Sequence, residues 1–126
     1  MPPKTPSLLP EPDDGSAYVG VALDMPVDRL FTYRVAAEQR PRADVGYRVV
    51  VPFRGRARTG IVAAVDEGQP DFRVLDVADA PDEHALLGSD LLALGAFMAR
   101  YYGASLGEAL AAMLPRGVRT RGKGAR

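Results

Sequence analysis

Cysteine and tryptophan are absent from this chain of 126 residues, and histidine occurs only once. Without cysteine, the chain can form no disulfide and offers no thiolate ligand for zinc. No apolar run approaches the roughly 18 residues that a membrane-spanning helix needs. The N-terminal stretch MPPKTPSLLPEPDDGS also lacks the apolar segment of a secretory signal. We therefore expect a cytoplasmic protein without a membrane partner.

Motifs that carry catalytic chemistry are equally scarce. His84, the single histidine, stands beside Asp82 and Glu83 with neither metal-ligand spacing nor a nucleophile partner. No G-x-x-x-x-G-K-[ST] loop for nucleotide phosphates occurs. The acidic pairs Asp13–Asp14 and Asp66–Glu67 fall in predicted loops. The sequence therefore predicts a chain that is not an enzyme and that uses no cofactor and no metal.

Composition divides the chain into three parts. With 47% hydrophobic residues, it has room for one globular core, which we place at residues 17–115. Residues 1–16 are rich in proline and lack apolar periodicity, so they are predicted to be a disordered extension. Residues 116–126, RGVRTRGKGAR, are predicted to be a flexible basic tail or a linker into a longer protein. A monomer is the default expectation for a domain of this size.

The formal net charge is zero, yet charges of opposite sign are separated along the chain. Eight arginines and only two acids lie between Arg29 and Arg58. Between Thr59 and Pro115, nine acids accompany only two arginines. This separation gives a dipolar molecule unless folding interleaves the two signs into ion pairs. The sequence leaves both outcomes open.

Residues 17–80 have the pattern of a small β-unit. Short apolar or alternating runs are separated by turns that contain Pro, Gly, Asp or Arg. Five strands are predicted, at Tyr18–Leu23, Phe31–Val35, Gly46–Phe53, Thr59–Asp66 and Phe72–Val77. Strands that are this short and this closely spaced favour a curved antiparallel sheet or a partly open barrel.

Residues 89–114 change to helical periodicity, because apolar side chains recur at steps of three and four. The residues that form this stripe are Leu91, Leu94, Met98 and Tyr101. Ser89 is the predicted N-cap, and one residue of the pair Tyr101–Tyr102 is expected to pack inward. The run SLGE at residues 105–108 has the form of a capping box and predicts a second, short helix that ends before Pro115. The predicted fold class is therefore α+β, with about five strands followed by one longer and one short helix.

The stretch at residues 47–62, YRVVVPFRGRARTGIV, predicts a β-hairpin with a basic tip. An apolar run leads into a turn that carries Arg54, Arg56 and Arg58 around Gly55, and a second apolar run follows. A short turn can present guanidinium groups to phosphates at a small entropic cost, so contact with nucleic acid is the first hypothesis. The alternative is a solvated turn that keeps the hairpin soluble.

Four motifs occur in order between residues 17 and 115: VALDMPVDRLFTYRV, GYRVVVPFRGRARTGIV, DVADAP and LLALGAFMARYYGASLGEALAAMLP. In this ordered set the chain resembles the N-terminal 3′ DNA-binding domain of the primosomal protein N′ (PriA) family of bacterial replication-restart proteins. The resemblance implies a non-catalytic module that recognises the 3′-OH end of the nascent strand at stalled or branched replication forks. The helicase core of full-length members has no counterpart in these 126 residues.

The resemblance also implies partners and a site. The ligand would be branched or 3′-ended DNA, and further partners would be other replication-restart proteins or the single-stranded-DNA-binding protein. Phe31 matches the aromatic residue of a shallow pocket for the terminal nucleotide, and Tyr33 matches the second aromatic of the same motif. Gly55 is the nearest match to a pocket glycine, displaced by one residue because Arg54 intervenes. Arg73 is the nearest match to a basic residue further along.

Thr32 lies between the two aromatics, where family members usually have an acidic residue that accepts a hydrogen bond from the 3′-OH. A threonine hydroxyl accepts this bond without a charge and therefore more weakly. We expect poorer discrimination between a free and a blocked 3′ end, with chain binding by the arginines more important.

Two alternatives stay open. Phe31 can stack on a base of any identity, but Phe31 and Tyr33 are two residues apart on one strand and can instead both fill the core. Packing is the favoured interpretation for Tyr33. For the whole chain, the alternative to DNA binding is a protein-interaction or interdomain docking module, built from the acidic second half and the helices.

Overall fold

A computed structural model describes residues 15–65 and 72–114 of the chain. Within them lie, in order, β1 Ala17–Leu23, β2 Phe31–Val35, a 3₁₀-helix Ala37–Arg42, β3 Arg48–Phe53, β4 Arg56–Ala64, α1 Ser89–Tyr102 and α2 Leu106–Ala112. The predicted basic tail lies outside the described residues, as do residues 1–14 of the predicted N-terminal extension and the pair Asp66–Glu67.

The four strands form one antiparallel sheet in the order β2-β1-β4-β3. Each corresponds to a strand predicted from the apolar alternation, with small shifts at the ends. The pairing of β1 with β4 shifts register between Gly20 and Val21. A bulge of this kind increases the local twist and bend of a strand, and it helps this short sheet to curl. The predicted α+β fold, a curved sheet followed by two helices, is confirmed.

The fifth predicted strand, at residues 72–77, does not form as a strand. Arg34 of β2 donates its backbone N–H to Leu75 (3.0 Å) and accepts from Val77 (2.8 Å), after which the chain changes partner. Val50 of β3 then donates to Asp79 and accepts from Ala78, both at 2.8 Å. Residues 75–79 therefore pair briefly with both edge strands. This segment partly closes the curled sheet into a barrel and satisfies backbone groups that an open edge would expose.

The core has two layers because side chains alternate across the sheet. The inner layer, on the concave face, contains the valines that have 0% exposure: Val21, Val49, Val51 and Val62. The outer layer joins Ala22 and Ile61 to Leu87 and to Leu110 of α2. Burying an aliphatic side chain stabilises the fold by about 1.5–3 kcal/mol, so the sheet is held from both sides.

The short helix α2 begins with the predicted capping box. Ser105 accepts a hydrogen bond from the backbone N–H of Glu108 (3.1 Å), and the Glu108 carboxylate accepts from the Ser105 N–H (3.0 Å). The Ser105 hydroxyl also donates to the carbonyl of Met25 (2.6 Å). A side chain at Gly107 would collide with the carbonyl oxygen of Leu23. Glycine inside this helix is therefore required by its close approach to β1.

The longer helix α1 forms where it is predicted, but the predicted N-cap is wrong, and so is the expectation that one of Tyr101 and Tyr102 packs inward. The N-cap is Gly88 rather than Ser89. The predicted apolar stripe faces outward, because α1 approaches α2 through its small residues Gly95 and Ala99. Exposed fractions on this face are 42% for Leu91, 45% for Leu94, 63% for Phe97, 36% for Met98, 72% for Tyr101 and 69% for Tyr102. Neither tyrosine packs inward.

Candidate nucleic-acid interface

The β3–β4 hairpin is confirmed, and its turn is tighter than predicted. Phe53 pairs with Arg56, which leaves Arg54 and Gly55 as the two turn residues. Both have positive φ, 53° and 78°, as type I′ hairpin turns require. β1 pairs with β4 only over residues 60–64. The end of the hairpin therefore projects past the neighbouring strand.

Arg56 and Arg58 lie on β4, not on the turn as predicted. They pair across the hairpin with Phe53 and Val51, so all four side chains belong to the concave face. Arg56 is exposed. Arg58 is half-buried, and its Nε atom has no hydrogen-bond partner among the described residues. Arg56 and Arg58 consequently lie on the concave face at the end of the sheet that carries the hairpin turn, which we call the open end of the sheet.

Two phenylalanines meet at this end of the sheet. Phe31, at the start of β2, contacts Phe53, at the end of β3, edge to face with ring centroids 5.1 Å apart. The Arg29 guanidinium lies 4.9 Å from the centre of the Phe31 ring. Those of Arg54 and Arg58 lie 5.3 and 5.9 Å from the centre of the Phe53 ring. We call these five residues the aromatic–arginine cluster.

Sequence reasoning missed Arg29 and Phe53 as members of the cluster. Arg29 precedes Phe31 by two residues and could have been noticed as a basic neighbour of the pocket aromatic. Phe53 belongs to the apolar alternation of its strand, and that pattern does not mark it as a site residue. Its contact with Phe31 joins the two edge strands, and no pattern within either strand indicates that pairing. Both rings are half-buried, so each keeps part of its surface open.

Tyr33 lies in the inner core. It is 5% exposed, and its hydroxyl donates a hydrogen bond to the carbonyl of Pro52 (2.7 Å). This bond links β2 directly to β3. Burial disfavours the phenolate and raises the pKa of Tyr33 above its ordinary value of 10.0. Tyr33 therefore has a structural role.

Thr32 does not share a face with its two aromatic neighbours. It pairs with Gly20, whereas Phe31 pairs with Val21, so Thr32 lies on the outer face of the sheet. It is half-buried, and its hydroxyl forms no hydrogen bond within the described part of the chain. The threonine hydroxyl therefore stays available, next to the cluster in sequence but across the sheet from it.

Gly55 and Arg73 lie at the margins of the cluster. Gly55 is exposed at the turn, where an added Cβ would contact nothing. Arg73 is exposed and outside the cluster. The bridge of Asp76 to Arg34 is parallel, so residues 72–74 run beside the first half of β2, where Phe31 and Thr32 lie.

Seven of the eight arginines of the basic middle fall into two groups, and the eighth, Arg40, donates to the carbonyl of Gly15. Arg34, Arg42 and Arg48 pair with Asp76, Glu83 and Asp82 respectively, so folding does interleave part of the charge. The last pair is bidentate (2.6 and 3.0 Å), with side chains only 9% and 15% exposed. In contrast, Arg29, Arg54, Arg56 and Arg58 form no ion pair with any acid in residues 15–65 and 72–114. Unneutralised positive charge is thus concentrated around the two phenylalanine rings.

This arrangement has the two elements that bind a nucleic-acid strand without reading its sequence. Aromatic rings can stack on bases, which is worth about 1–3 kcal/mol per base. Guanidinium groups form paired hydrogen bonds with phosphate oxygens. Among the described residues, no cluster of His, Cys, Asp and Glu has the arrangement of a metal site. The helices of the described part are also too short or too polar to span a membrane.

Comparisons with known proteins agree with these features. Residues 20–115 match the family model of the PriA 3′ DNA-binding domain (3′BD). The chain is also similar to the replication restart protein PriA of Treponema pallidum (strain Nichols), with 32% identity over 112 residues. That match covers 82% of this chain and 17% of the relative. The chain therefore spans about a sixth of the length of that curated relative.

Proposed function

The chain belongs to the family of PriA 3′ DNA-binding domains, and from that premise we propose that it binds the 3′ end of the nascent strand at stalled or branched replication forks. In this function it serves replication restart as a binding module and catalyses no reaction itself. The observation that carries the proposal is the aromatic–arginine cluster at the open end of the sheet. The proposal places the chain in the cytoplasm, with DNA as its main partner.

The contacts follow from the geometry of the cluster. The terminal base stacks on the exposed part of the Phe31 ring. Arg54, Arg56 and Arg58 bind the backbone phosphates next to that base, since no described acid neutralises them. A restart protein meets forks of any sequence, and stacking with phosphate contacts needs no particular base. Gly55 and Arg73 border the terminal nucleotide, whereas Thr32, on the outer face of the edge strand β2, can reach only its 3′ end. Tyr33 supports the pocket from the core.

Fluorescence anisotropy on two forms of one partial duplex tests this function. One form has a recessed 3′-OH, and in the other a loop joins the two strands so that no 3′ end is accessible. We expect tighter binding of the first form and, for both, a log-linear weakening with salt. Reversal of Arg54, Arg56 and Arg58 to glutamate should abolish binding. Each single reversal at these three positions is compared with Arg42→Glu, at an exposed arginine beyond the far end of β2, which should change binding little. Equal binding of the two DNA forms would contradict end recognition.

A second candidate function rests on the outer face of α1. Six large apolar residues are exposed there, more than a helix that faces only water usually presents. Since the chain spans 17% of the relative's length, we propose another domain of the longer polypeptide as the partner of this face. A docked apolar face should weaken little with salt, unlike phosphate binding.

Analytical ultracentrifugation tests docking with the chain added to a full-length homologue from which this domain has been removed. A complex that persists at high salt and is lost in a Leu94→Glu variant would support the second function. The control is Ala93→Glu, an exposed residue beside the stripe. No complex at either salt concentration would contradict it.

A further inference from the structure

The β3–β4 hairpin extends beyond the rest of the sheet as a slender two-stranded ribbon. Among the described residues, the pairing of β4 with β1 stops at Gly60, and the backbone bonds of β3 to residues 78–79 are made at Val50. Three further residue pairs follow, and then the turn at Arg54 and Gly55. At about 3.4 Å per residue, the ribbon extends roughly 12 Å past its neighbours.

The two faces of this ribbon differ in the size of their side chains. Phe53 and Arg58 lie on the concave face, which carries the aromatic–arginine cluster. The opposite, outer face carries the pair Pro52–Ala57, whose side chains are short. Residues 54–57 are all exposed, so both the tip and the outer face are open to solvent. The outer face therefore adds little bulk to the backbone of the ribbon.

The dimensions of the ribbon match the major groove of duplex DNA. Two paired strands lie about 4.7–4.9 Å apart, and a sheet layer with its side chains is about 10 Å thick. The major groove is about 12 Å wide and 8.5 Å deep and admits a two-stranded β-ribbon, whereas the minor groove is only about 6 Å wide. Gly55, at a φ of 78°, has no Cβ, so the backbone of the turn can approach the base edges closely.

The charges at the tip suit the rims of such a groove. Arg54 and Arg56 lie on either side of Gly55, and both are exposed. Neither forms an ion pair with an acid among residues 15–65 and 72–114. With the tip in the groove, the two guanidinium groups face the phosphates of the two strands that line it. Phosphate contacts fix the position of a protein on a duplex without reading its sequence.

We propose that the tip and the outer face of the β3–β4 hairpin enter the major groove of the duplex that adjoins the strand end. The inference rests on the proposed DNA-binding function. It assigns to the duplex arm a surface of its own, separate from the concave face on which the terminal base stacks. Gly55 leads into the groove, Ala57 faces the base edges, and Arg54 and Arg56 bind phosphates at its rims. No base-specific side chain takes part, so the contact tolerates any sequence.

Fluorescence anisotropy with the whole chain and three DNA probes tests the groove contact. The probes are a duplex closed by a loop at both ends, a partial duplex with a recessed 3′-OH, and a single strand with a free 3′-OH. We expect the chain to bind the closed duplex and to be displaced from it by methyl green, which occupies the major groove. Netropsin, which occupies the minor groove, should leave the complex intact. Both compounds are cationic, so the difference between them reports the groove rather than charge.

Ala57→Glu tests whether the outer face of the hairpin makes the contact. It adds a carboxylate where the proposal places the walls of the groove, so affinity for the closed duplex should fall by about 3- to 10-fold. The single strand binds on the concave face, and its affinity should change by less than about 2-fold because salt screens the added charge. An unchanged affinity for the single strand also shows that the variant folds. Ala93→Glu adds the same charge at an exposed position of α1 and should alter neither affinity.

The groove contact and end recognition fail on different results. Displacement by netropsin and not by methyl green would overturn the assignment to the major groove. Closed-duplex binding that neither compound nor Ala57→Glu reduces would show that the hairpin enters no groove. Tighter binding of the recessed 3′-OH would then still support end recognition. Equal binding of the closed and partial duplexes, with displacement by methyl green, would overturn end recognition and leave the groove contact standing.

Discussion

Phe31 combines packing and exposure within one side chain. Its ring contacts the Phe53 ring edge to face and remains partly open beneath Arg29. Phe31→Ala removes the surface on which a base stacks, so we expect DNA binding to weaken by about 1–3 kcal/mol whatever the terminal base. Anisotropy measures this loss, and urea unfolding of the same variant measures any separate loss of folding stability.

The control for this variant is Phe97→Ala on α1. It removes the same atoms from a ring that is 63% exposed and far along the chain from the cluster. Its affinity for DNA should equal that of the unchanged protein. Equal losses in the two variants would show that the position of the Phe31 ring in the cluster is irrelevant to binding.

Thr32 is the residue at which a single charge should alter end selectivity. Thr32→Asp adds a charged acceptor beside Phe31 on the same strand. We expect the affinity ratio of a 3′-hydroxyl end over a 3′-phosphate end to rise by about 3- to 10-fold, through attraction of the hydroxyl and repulsion of the phosphate. Thr32→Asn, which has the shape of aspartate without its charge, should leave the ratio near its original value. An unchanged affinity ratio in the Thr32→Asp variant would show that residue 32 does not contact the bound 3′ end.

Tyr33 gives a prediction about folding rather than binding. Tyr33→Phe removes the hydrogen bond to Pro52, which should lower the free energy of unfolding by about 1 kcal/mol at pH 7. The pKa of Tyr33 is raised in the folded state, so the unfolded chain loses this proton first as the pH passes about 10. The advantage of tyrosine should therefore shrink above that pH.

Urea titrations of the unchanged protein and of the Tyr33→Phe variant between pH 7 and pH 11 measure the difference. Tyr101→Phe serves as the control, because Tyr101 is 72% exposed and its replacement should cost little at pH 7. A stability difference between the unchanged protein and the Tyr33→Phe variant that stays constant up to pH 11 would contradict the role assigned to burial.

At the element scale, Ser105 determines where α2 begins and how it attaches to the sheet. Its hydroxyl accepts from Glu108 and donates to Met25, and the residue is only 4% exposed. Ser105→Ala should lower the free energy of unfolding by about 2 kcal/mol, because both a cap and a buried bond are lost. Ser89→Ala is the matched control: Gly88 caps α1, so this variant should change stability by less than about 0.5 kcal/mol. Similar costs at the two serines would contradict this difference.

The elements that sequence reasoning located correctly are those with a strong local signal. Alternation placed the four strands, and the capping box placed α2. The sequence did not determine which way the apolar stripe of α1 faces, because periodicity shows that a helix has an apolar stripe but not what covers it. Gly95 and Ala99 have little hydropathic signal, although their small size is what brings α1 against α2. Residues 72–77 failed as a strand because two edge strands share the segment's hydrogen bonds, a tertiary effect.

The candidate site was predictable to a similar degree. The local pattern FRGRAR located the hairpin and three of its arginines, and the family resemblance singled out Phe31. Arg29 and Phe53 required the structure, since the cluster forms only where the start of β2 meets the end of β3. A contact between edge strands that are separated by two other strands leaves no trace in either strand's own pattern.

At the scale of the whole molecule, folding pairs some of the described arginines with acids and leaves those at the hairpin end without an acidic partner among the described residues. Residues 76–83 bring Asp76, Asp82 and Glu83 to Arg34, Arg48 and Arg42, and these pairs neutralise three of the eight arginines between Arg29 and Arg58. The arginines at the hairpin end receive no such partner within the described residues. A net charge of zero therefore coexists with a local surface suited to phosphates.

This division predicts how each arginine contributes to the salt dependence of DNA binding. Each phosphate contact adds about 0.9 to the slope of log affinity against log salt on duplex DNA, and about 0.7 on a single strand. Arg54→Gln, Arg56→Gln and Arg58→Gln should each reduce the slope by about that amount if each binds one phosphate. Arg42→Gln should leave the slope unchanged. Arg42 is paired with Glu83, so it contacts no phosphate and displaces no counterion from the DNA.

Anisotropy titrations between roughly 50 and 200 mM salt measure these slopes, because phosphate-driven binding weakens strongly over this range. An equal reduction at Arg42 would mean that net charge, and not the position of the unpaired arginines, governs binding.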